Sequence, residues 1–486
     1  MARARRSRWW LYGLLIAGAC VSLPLGLLGP QNSVPVSLAT HSSGTQSPLQ
    51  MRTIVAYSLQ RQLHEQQRTP VHCEPQPARP NLHSHHMWQT LGPDVHLYSA
   101  YYDHRLSPFN FIRIISMLRG SARPTLFCQV WYDGHVLIVE ALRTEIWVSN
   151  WDKHAGEDVY YTVLLSCPLP TTFSESAGTP QGVSVVLHPC EHSEVFLKIN
   201  VRSASRRNFA VCVKGMDFLD QDISLRLVEW IELNRLLGAD HFFIYVYSVH
   251  SNVQTVLNYY HKKGQVTVVP ITLPGRQPNE PHIRSRYLKK HLWQKRRNEL
   301  VPYNDCLYRN IEMYKFVLPL DIDEVIVPVK NLSWRDMFDE LLAEDPEILD
   351  KFSSFSVRNA YFFDSFPTST EQGIPEFLHT MVHTTRSASF SPPGDSVKSF
   401  VVTSGALTVF NHYVLHPLSP TSSRNLVLDT GLAQMNHYKT ECSLVTVADC
   451  RTKYLRYRKR DTLLLKFSQQ LAARVTPVLR HLQLIK

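Results

Sequence analysis

The sequence lacks any Cys-x-x-Cys pair, and this absence argues against a zinc-binding module. It also lacks a dense basic patch. The formal net charge is +10, yet the basic residues are scattered apart from an N-terminal cluster and a run at residues 284–297. We therefore expect no nucleic-acid partner. At 486 residues the chain exceeds one typical domain, so we expect at least two folded units.

One long segment lacks charged residues. Residues 9–29 contain no ionisable group other than Tyr12 and Cys20, and four arginines precede them. Roughly 20 apolar residues span a bilayer core, and arginines on one flank indicate a cytoplasmic N-terminus. No clear small-x-small cleavage site follows, which favours a signal anchor over a cleaved signal peptide. We predict a cytoplasmic tail at 1–8, a transmembrane anchor at 9–29 and a lumenal remainder.

Cysteine usage agrees with a lumenal location. Eight cysteines follow the anchor, and an even number permits up to four disulfides. The sequence alone does not define their pairing, except that the short spacing of Cys442 and Cys450 predicts a local bridge. Asn331, in Asn-Leu-Ser, is the one glycosylation sequon and a predicted glycosylation site.

The composition and periodicity of the sequence change three times after the anchor. Residues 30–85 are rich in Pro, Ser, Gln and His without periodicity, which is typical of a stem or linker. Residues 86–205 contain short β-type runs separated by turn residues, which predict a sandwich-like β-rich module. Residues 206–470 alternate strand and helix patterns and form the predicted catalytic domain. Residues 471–486 are predicted to be a C-terminal tail.

The alternating region predicts an α/β fold with βαβ units and a parallel sheet. Strands are expected at 209–215, 241–248 and 265–271, with helices at 223–238 and 253–264. The run YKFVLPLDID is the expected fourth strand. Ligands in open α/β sheets bind beyond the carboxyl ends of the strands, where this run places its acids.

The stretch LDIDEVIVP, residues 320–328, carries the most specific chemistry. If Asp321 and Asp323 lie two apart on a strand, both face the same side. Two carboxylates suit Mn²⁺ or Mg²⁺ together with phosphate oxygens. An alternative is a haloacid-dehalogenase-type phosphatase, with Asp321 as nucleophile and Asp323 as acid/base. Its expected downstream acid pair is missing, because Lys398 stands where the last acid belongs.

Several ordered segments resemble glycosyltransferase family 92 over roughly residues 208–440. They are VCVKG (211–215), LVEWIELNRLLGADHFFIYVYS (227–248), YNDCLYRN (303–310), LDIDEVIVP (320–328), KSFVV (398–402), FNHY (410–413) and NHYK (436–439). The resemblance implies a type II Golgi membrane enzyme with a GT-A, Rossmann-like nucleotide-sugar-binding domain. It further implies transfer of galactose from UDP-galactose, in β1,4 linkage, to galactose or fucose on glycoprotein glycans. A non-catalytic lumenal glycan-binding protein is a second alternative.

The resemblance also implies a metal site. Asp321 and Asp323 would hold Mn²⁺ against the UDP diphosphate, and one late histidine would complete the shell. His437 and His412 both match family positions, and His437 is preferred because it lies near the domain end. Glu324 is expected to orient a neighbour or to cap the strand exit.

Further residues are expected to contact the donor. Asp305 and Arg309 lie about one helical turn apart and are expected at the nucleotide edge of the sheet. Lys214 is expected to contact the phosphate or the uridine of the donor, and Lys398, at a position that matches the family, is expected to contact an anionic group. Inversion at the anomeric carbon requires a base, for which we prefer Asp364 over other downstream acids. Both a monomer and a dimer are compatible with a stem and an anchor.

Overall fold

The computed structural model describes residues 70–80, 87–148, 152, 156–171, 178–200, 205–369, 372–442 and 450–486. In these ranges no helix is both long and apolar enough to cross a membrane. The predicted cytoplasmic tail, the anchor at 9–29 and the stem up to residue 69 lie outside the described residues.

The N-terminal folded part, residues 87–200, is called the β-module here. Its strands are β1 (Gln89–Leu91), β2 (Val95–Asp103), β3 (Asn110–Arg119), β4 (Phe127–Trp131), β5 (Val136–Glu140), β6 (Leu142–Glu145), β7 (Tyr160–Leu169), β8 (Gly182–Val186) and β9 (Leu197–Asn200). They form one hydrogen-bonded sheet in the order β5-β4-β8-β9-β2-β3-β7-β6, with β1 on β2. Side chains from both halves of this order share one apolar core. The halves β5-β4-β8 and β2-β3-β7-β6 are joined through β9 and share this core, so the module is sandwich-like although its strands form one connected sheet.

Disulfides hold the β-module together and attach part of the predicted stem to it. Cys128–Cys167 joins β4 to β7, and Cys73–Cys190 ties residues 70–80 to the module. The Val71 backbone N–H also donates to the carbonyl of Ile138. The end of the segment predicted as a free linker is thus part of the folded module.

The remaining described residues, 205–486, form the α/β region. Its α-helices among the described residues are α1 (Ser224–Leu237), α2 (Ser251–Lys262), α3 (Pro281–Lys290), α4 (Leu292–Asn298), α5 (Leu300–Asn310), α6 (Trp334–Glu344), α7 (Ile348–Lys351), α8 (His379–Val382) and α9 (Ser468–His481), with a π-helix at Cys450–Leu455 and a 3₁₀-helix at Leu463–Phe467. Its strands are β10 (Arg207–Phe218), β11 (His241–Val249), β12 (Val266–Pro270), β13 (Tyr314–Pro319), β14 (Glu324–Pro328), β15 (Ser354–Val357), β16 (Asn359–Phe363), β17 (Thr385–Ser387), β18 (Lys398–Val402), β19 (Ala406–Val409), β20 (Val414–Pro417), β21 (Leu426–Val427), β22 (Ala433–Lys439) and β23 (Arg458–Arg460). The strands and helices expected between 209 and 271 are all present, with ends shifted by a few residues.

The main sheet has seven strands in the order β12-β11-β10-β13-β18-β15-β21. Strands β10 to β13 are parallel, whereas β18 runs antiparallel to β13, so the sheet is mixed and not purely parallel. Alternation along β10 separates the two faces. Val211 and Val213 pack in a core with α1, α2 and α9, whereas Ala210 and Cys212 face α5 and the β-module. Both faces are covered, which explains the continuously apolar strand sequences.

A second, three-stranded sheet has the order β14-β22-β16. Strand β22 pairs antiparallel with β14, and this register places His437 opposite Glu324. The same strand runs parallel to β16, which ends just before Asp364. This small sheet therefore brings three widely separated parts of the chain to one place.

The predicted C-terminal tail, 471–486, is instead largely helical and belongs to the α/β core. Helix α9 packs against α1, and its residues Leu471, Val475 and Leu479 are buried. These positions repeat at helical spacing and form one apolar stripe. Two further disulfides, Cys212–Cys306 and the predicted Cys442–Cys450, lie in the α/β region.

Candidate active site

A cavity of about 530 Å³ opens at the carboxyl ends of the parallel strands. It is lined by the end of β10 (213–218), Tyr247 at the end of β11, and the 321–323 segment that follows β13. Residues of α3, together with His379 and Thr380 of α8, complete the wall. Chain order diverges between the adjacent strands β10 and β13, which makes this edge the topological switch point where open α/β sheets bind ligands.

The acidic segment forms a turn, which corrects the expectation that both aspartates lie on a strand. Strand β13 ends at Pro319, and the Glu324 backbone N–H donates to the Asp321 carbonyl at 3.0 Å. This hydrogen bond between the first and fourth residues closes a β-turn. The two carboxylates are therefore positioned by the turn and not by strand alternation. Both still line the cavity.

Two lysines neutralise Asp321. Its Oδ2 atom lies 3.2 Å from Lys214 Nζ and 3.3 Å from Lys398 Nζ. Burial alone would raise the pKa of this carboxyl, but the two ammonium groups outweigh burial and hold it well below its usual range. Asp321 is therefore a permanent anion.

The two lysines occupy different positions. Lys214 lines the cavity, as predicted for a residue that meets an anion, and it also contacts Glu299 at 3.3 Å. Lys398 is buried behind the acidic turn and is not among the residues that line the cavity. Its ammonium group also contacts Glu324 at 3.2 Å, so both of its carboxylate partners belong to the acidic segment and not to a ligand in the cavity.

Glu324 supports the turn. Its Oε2 atom accepts a hydrogen bond from the Asp321 backbone N–H at 2.9 Å, and its side chain is buried. Burial raises the pKa of this carboxyl, and Lys398 only partly counteracts it. The side chain thus orients Asp321, in line with the secondary role expected for it.

The structure separates the two candidate histidines. His437 Nε2 lies 3.4 Å from Asp323 Oδ2. His412 instead directs Nδ1 to the Val397 carbonyl at 2.7 Å, and no ion pair joins it to either aspartate among the described residues. Burial lowers the pKa of His412 to about 3, with Lys398 acting in the same direction. His437, and not His412, therefore stands beside the acidic turn.

The side chains at the acidic turn are of the types that ligate divalent cations, although among the described residues Asp321, Asp323 and His437 do not bring one ligand atom each within 4.8 Å of one another. Asp323 and His437 offer an oxygen and a nitrogen side by side, and Asp321 adds a second carboxylate from the same turn. Burial would raise the pKa of Asp323, yet His437 outweighs it and lowers that pKa. Carboxylate oxygens with one imidazole suit Mn²⁺ or Mg²⁺.

Asp305 does not lie at the nucleotide edge, which corrects its predicted role. It is fully buried inside α5, and its oxygens accept hydrogen bonds from Ser99, Tyr101, Tyr245 and Arg309. Neither Asp305 nor Arg309 is among the cavity-lining residues. The helix begins at Leu300, so Asp305 lies in its second turn. Since two of its donors belong to the β-module, Asp305 joins the two parts of the fold.

Asp364 lies near the cavity but is not among the residues that line it. Its Oδ1 atom is 3.4 Å from His379 Nε2, and its Oδ2 atom faces Arg226 at 3.8 Å. His379 does line the cavity, and burial lowers its pKa to about 4, with His383 and Arg226 adding to the effect. His379 and Arg226 both line the cavity, and each contacts Asp364.

Sequence reasoning missed Glu229. This residue of α1 lines the cavity, is buried, and accepts hydrogen bonds from the backbone N–H groups of His379 and Thr380. Burial raises its pKa to about 7 although these donors oppose the effect. The sequence feature that could have indicated Glu229 is its position inside the otherwise apolar run LVEWIEL.

Asn331 lies in the loop before α6. Its Nδ2 atom donates to Glu340 at 3.0 Å, and the following Leu332 is exposed. The sequon is therefore at the surface, with its amide engaged by a neighbouring helix.

Fold and site together define an α/β protein whose switch-point cavity, where open α/β sheets bind their ligands, presents carboxylates, lysine and imidazole. The chain belongs to glycosyltransferase family 92, whose family model matches residues 207–470, more than half of the sequence. It is also 30% identical over 155 residues to the β-1,4-galactosyltransferase galt-1 of Caenorhabditis elegans. That alignment covers 31% of this chain and 32% of the relative, so it spans about a third of each protein.

Proposed function

We propose that this family 92 glycosyltransferase is a metal-dependent, inverting hexosyltransferase with a GT-A type catalytic domain. The proposed reaction moves galactose from UDP-galactose, in β1,4 linkage, onto terminal galactose or fucose of glycoprotein glycans. The observation that carries the proposal is the position of Lys214 and Asp321, which face each other across the switch point inside the cavity. The name of the C. elegans relative supports the choice of galactose and linkage.

The donor would bind with its diphosphate at the acidic turn. Lys214 is the cavity-lining lysine that contacts the acidic turn, and it would bind phosphate oxygens there; Lys289 and Lys295 also line the cavity. A Mn²⁺ or Mg²⁺ ion held by Asp321, Asp323 and His437 would supply Lewis-acid stabilisation of the leaving diphosphate. Glu324 keeps the turn in shape through the Asp321 backbone N–H.

Proton removal from the acceptor hydroxyl is assigned to Asp364, acting with His379. An inverting transfer needs a base on the acceptor side of the sugar. The 3.4 Å contact between Asp364 Oδ1 and His379 Nε2 supports a pair in which the carboxylate orients the imidazole at the cavity wall.

We place the enzyme in the Golgi membrane as a single-pass type II protein with its catalytic domain in the lumen. The four disulfides support an oxidising compartment. The apolar segment at 9–29 with its flanking arginines supports the anchor.

The test is UDP release from a panel of UDP-sugars by the purified chain, with glycan acceptors and with Mn²⁺ or EDTA. We expect turnover with UDP-galactose, loss in EDTA, and at least a hundredfold lower rate in Asp323→Ala. Asp339→Ala is the matched control, because Asp339 is an exposed acid outside the cavity.

Three results would contradict the proposal in different ways. Absence of UDP release with every donor would favour a non-catalytic glycan-binding protein. Turnover with another UDP-sugar would overturn only the choice of galactose. Release of phosphate from a phosphoester, lost in Asp321→Ala, would favour the phosphatase mechanism.

A further inference from the structure

Asp364, His379 and His383 form a cluster of possible metal ligands, of which His379 lines the cavity. Asp364 follows β16, and His379 and His383 stand at the two ends of α8. One ligand atom from each lies within 4.8 Å of the other two, and among the described residues no other group of three meets this condition. Asp364 Oδ1 is 3.4 Å from His379 Nε2 and 3.8 Å from His383 Nε2.

The hydrogen bonds of His383 direct a lone pair at this point. Its Nδ1 atom lies 2.8 Å from the His379 carbonyl oxygen, which can only accept, so Nδ1 carries the proton. In the neutral ring Nε2 is then unprotonated and faces the Asp364 carboxylate. A nitrogen lone pair and an anionic oxygen repel each other, and a cation bound between them would remove this repulsion. A backbone carbonyl on the far nitrogen is also the usual support of a metal-binding histidine.

The ligands are held in place before any ion binds. The carboxylate of Glu229 accepts hydrogen bonds from the backbone N–H groups of His379 and Thr380, both at 2.8 Å, and fixes the start of α8 on α1. The two imidazole rings lie with centroids 3.8 Å apart. Tetrahedral zinc places neighbouring ligand atoms about 3.3 Å apart, so only shifts of a few tenths of an ångström to about 1.5 Å are needed.

Arg226 is the arginine that ion-pairs with Asp364 among the described residues, and it would be a cationic neighbour of a metal ion bound there. It faces Asp364 Oδ2 at 3.8 Å, on the oxygen that does not meet the histidines, and about half of its side chain is exposed. The guanidinium group therefore orients the carboxylate through one oxygen and leaves the other for a ligand bond.

We propose that Asp364, His379 and His383 bind a divalent ion of the zinc class, at a site separate from Asp321 and Asp323. Two imidazole nitrogens and one carboxylate oxygen are a donor set that zinc takes, leaving further positions for water or a bound hydroxyl group. The missing Cys-x-x-Cys pairs do not bear on this site, because it contains no sulfur. The site shares Asp364 and His379 with the proposed base, so the zinc-bound cluster and the Asp364 base are alternative states of the same residues, and zinc binding is tested without any assay of transfer.

The test is calorimetric titration of the purified chain with Zn²⁺, together with metal analysis after dialysis. Wild type and Asp323→Ala should both bind Zn²⁺ at this site, whereas His383→Gln should weaken its binding at least tenfold. His282→Gln is the matched control, since His282 also lines the cavity but pairs with Asp220.

Spectra keep the test decisive if a variant folds poorly. Co²⁺ added to wild type should give the visible absorption of a nitrogen- and oxygen-ligated ion, displaced by Zn²⁺ and unaffected by excess UDP. Equal Zn²⁺ affinity in His383→Gln, with an unchanged melting temperature before metal is added, would overturn the proposal. So would a wild-type chain that binds no Zn²⁺, and the cluster would then be an Asp–His proton-sharing group.

Discussion

Asp305 offers a direct test of how the β-module is joined to the α/β region. Its Oδ1 atom accepts from Ser99 and Tyr101 at 2.6 Å each, and its Oδ2 atom accepts from Tyr245 at 2.5 Å and Arg309 at 2.9 Å. Asp305→Asn keeps the shape of the side chain but replaces one acceptor oxygen with a donor. At least one of these buried partners then loses its acceptor.

The expected effect follows from burial. A hydrogen bond to a charged group contributes about 1.5–3 kcal/mol, and breaking a buried ion pair costs about 3–5 kcal/mol. The four donors share one carboxylate, so their contributions do not add. We expect Asp305→Asn to lose about 3–5 kcal/mol of the free energy of unfolding. Tyr101→Phe removes a single donor and should lose about 1.5–3 kcal/mol.

The assay combines urea unfolding, followed by tryptophan fluorescence, with calorimetric binding of UDP to the folded protein. We expect a lower urea midpoint and an unchanged UDP affinity for Asp305→Asn. Asp339→Asn, at an exposed helical position, controls for loss of charge alone. An unchanged midpoint with UDP affinity weakened tenfold would refute the structural role and restore the nucleotide role predicted from sequence.

Three further predictions address other parts of the chain. Burial alone would raise the pKa of Asp103, but its two arginine partners outweigh burial and lower it, so its stabilisation is present above about pH 4 and is lost as the pH falls further. Urea midpoints should show Asp103→Asn losing about 3–5 kcal/mol at neutral pH, with the gap to wild type closing in acid. Leu471→Ala should cost about 2–5 kcal/mol in the same assay, because Leu471 is fully buried; a loss below 1 kcal/mol would fit a dispensable tail. Asn331→Gln, expressed through the secretory pathway, should migrate faster on a gel and no longer respond to glycosidase; equal mobility would contradict glycosylation there.

Periodicity predicted the parallel strands because each one is buried on both faces. Strands such as β11, with Phe242 and Ile244 on one side and Phe243 and Tyr245 on the other, have an apolar sequence that no surface segment would keep. Helix α1 ends before Gly238, where φ is +121°, and this glycine marked the end of the predicted helix.

Contacts between distant segments were not predictable in the same way. Asp305 accepts a hydrogen bond from Tyr101, 204 positions earlier, and no local pattern in YNDCLYRN indicates that partner. The disulfides show the same contrast. Cys442 and Cys450 are separated by 8 positions, and this short spacing allowed the bridge to be predicted. Cys73 and Cys190 are separated by 117 positions, and nothing in the sequence indicates that they pair. The Asp321 turn was missed because an apolar run on both sides of it has the composition of one continuous strand.

Both lysines beside Asp321 compensate its negative charge, but only Lys214 lines the cavity. Lys398 is 1% exposed and lies between Asp321 and Glu324, so it compensates both buried acids whether or not the cavity holds a ligand. Lys214 is 24% exposed and reaches the cavity. An anionic ligand can therefore draw Lys214 toward itself without leaving Asp321 uncompensated, since Lys398 remains. The turn therefore keeps its charge and shape whether or not an anionic ligand occupies the cavity.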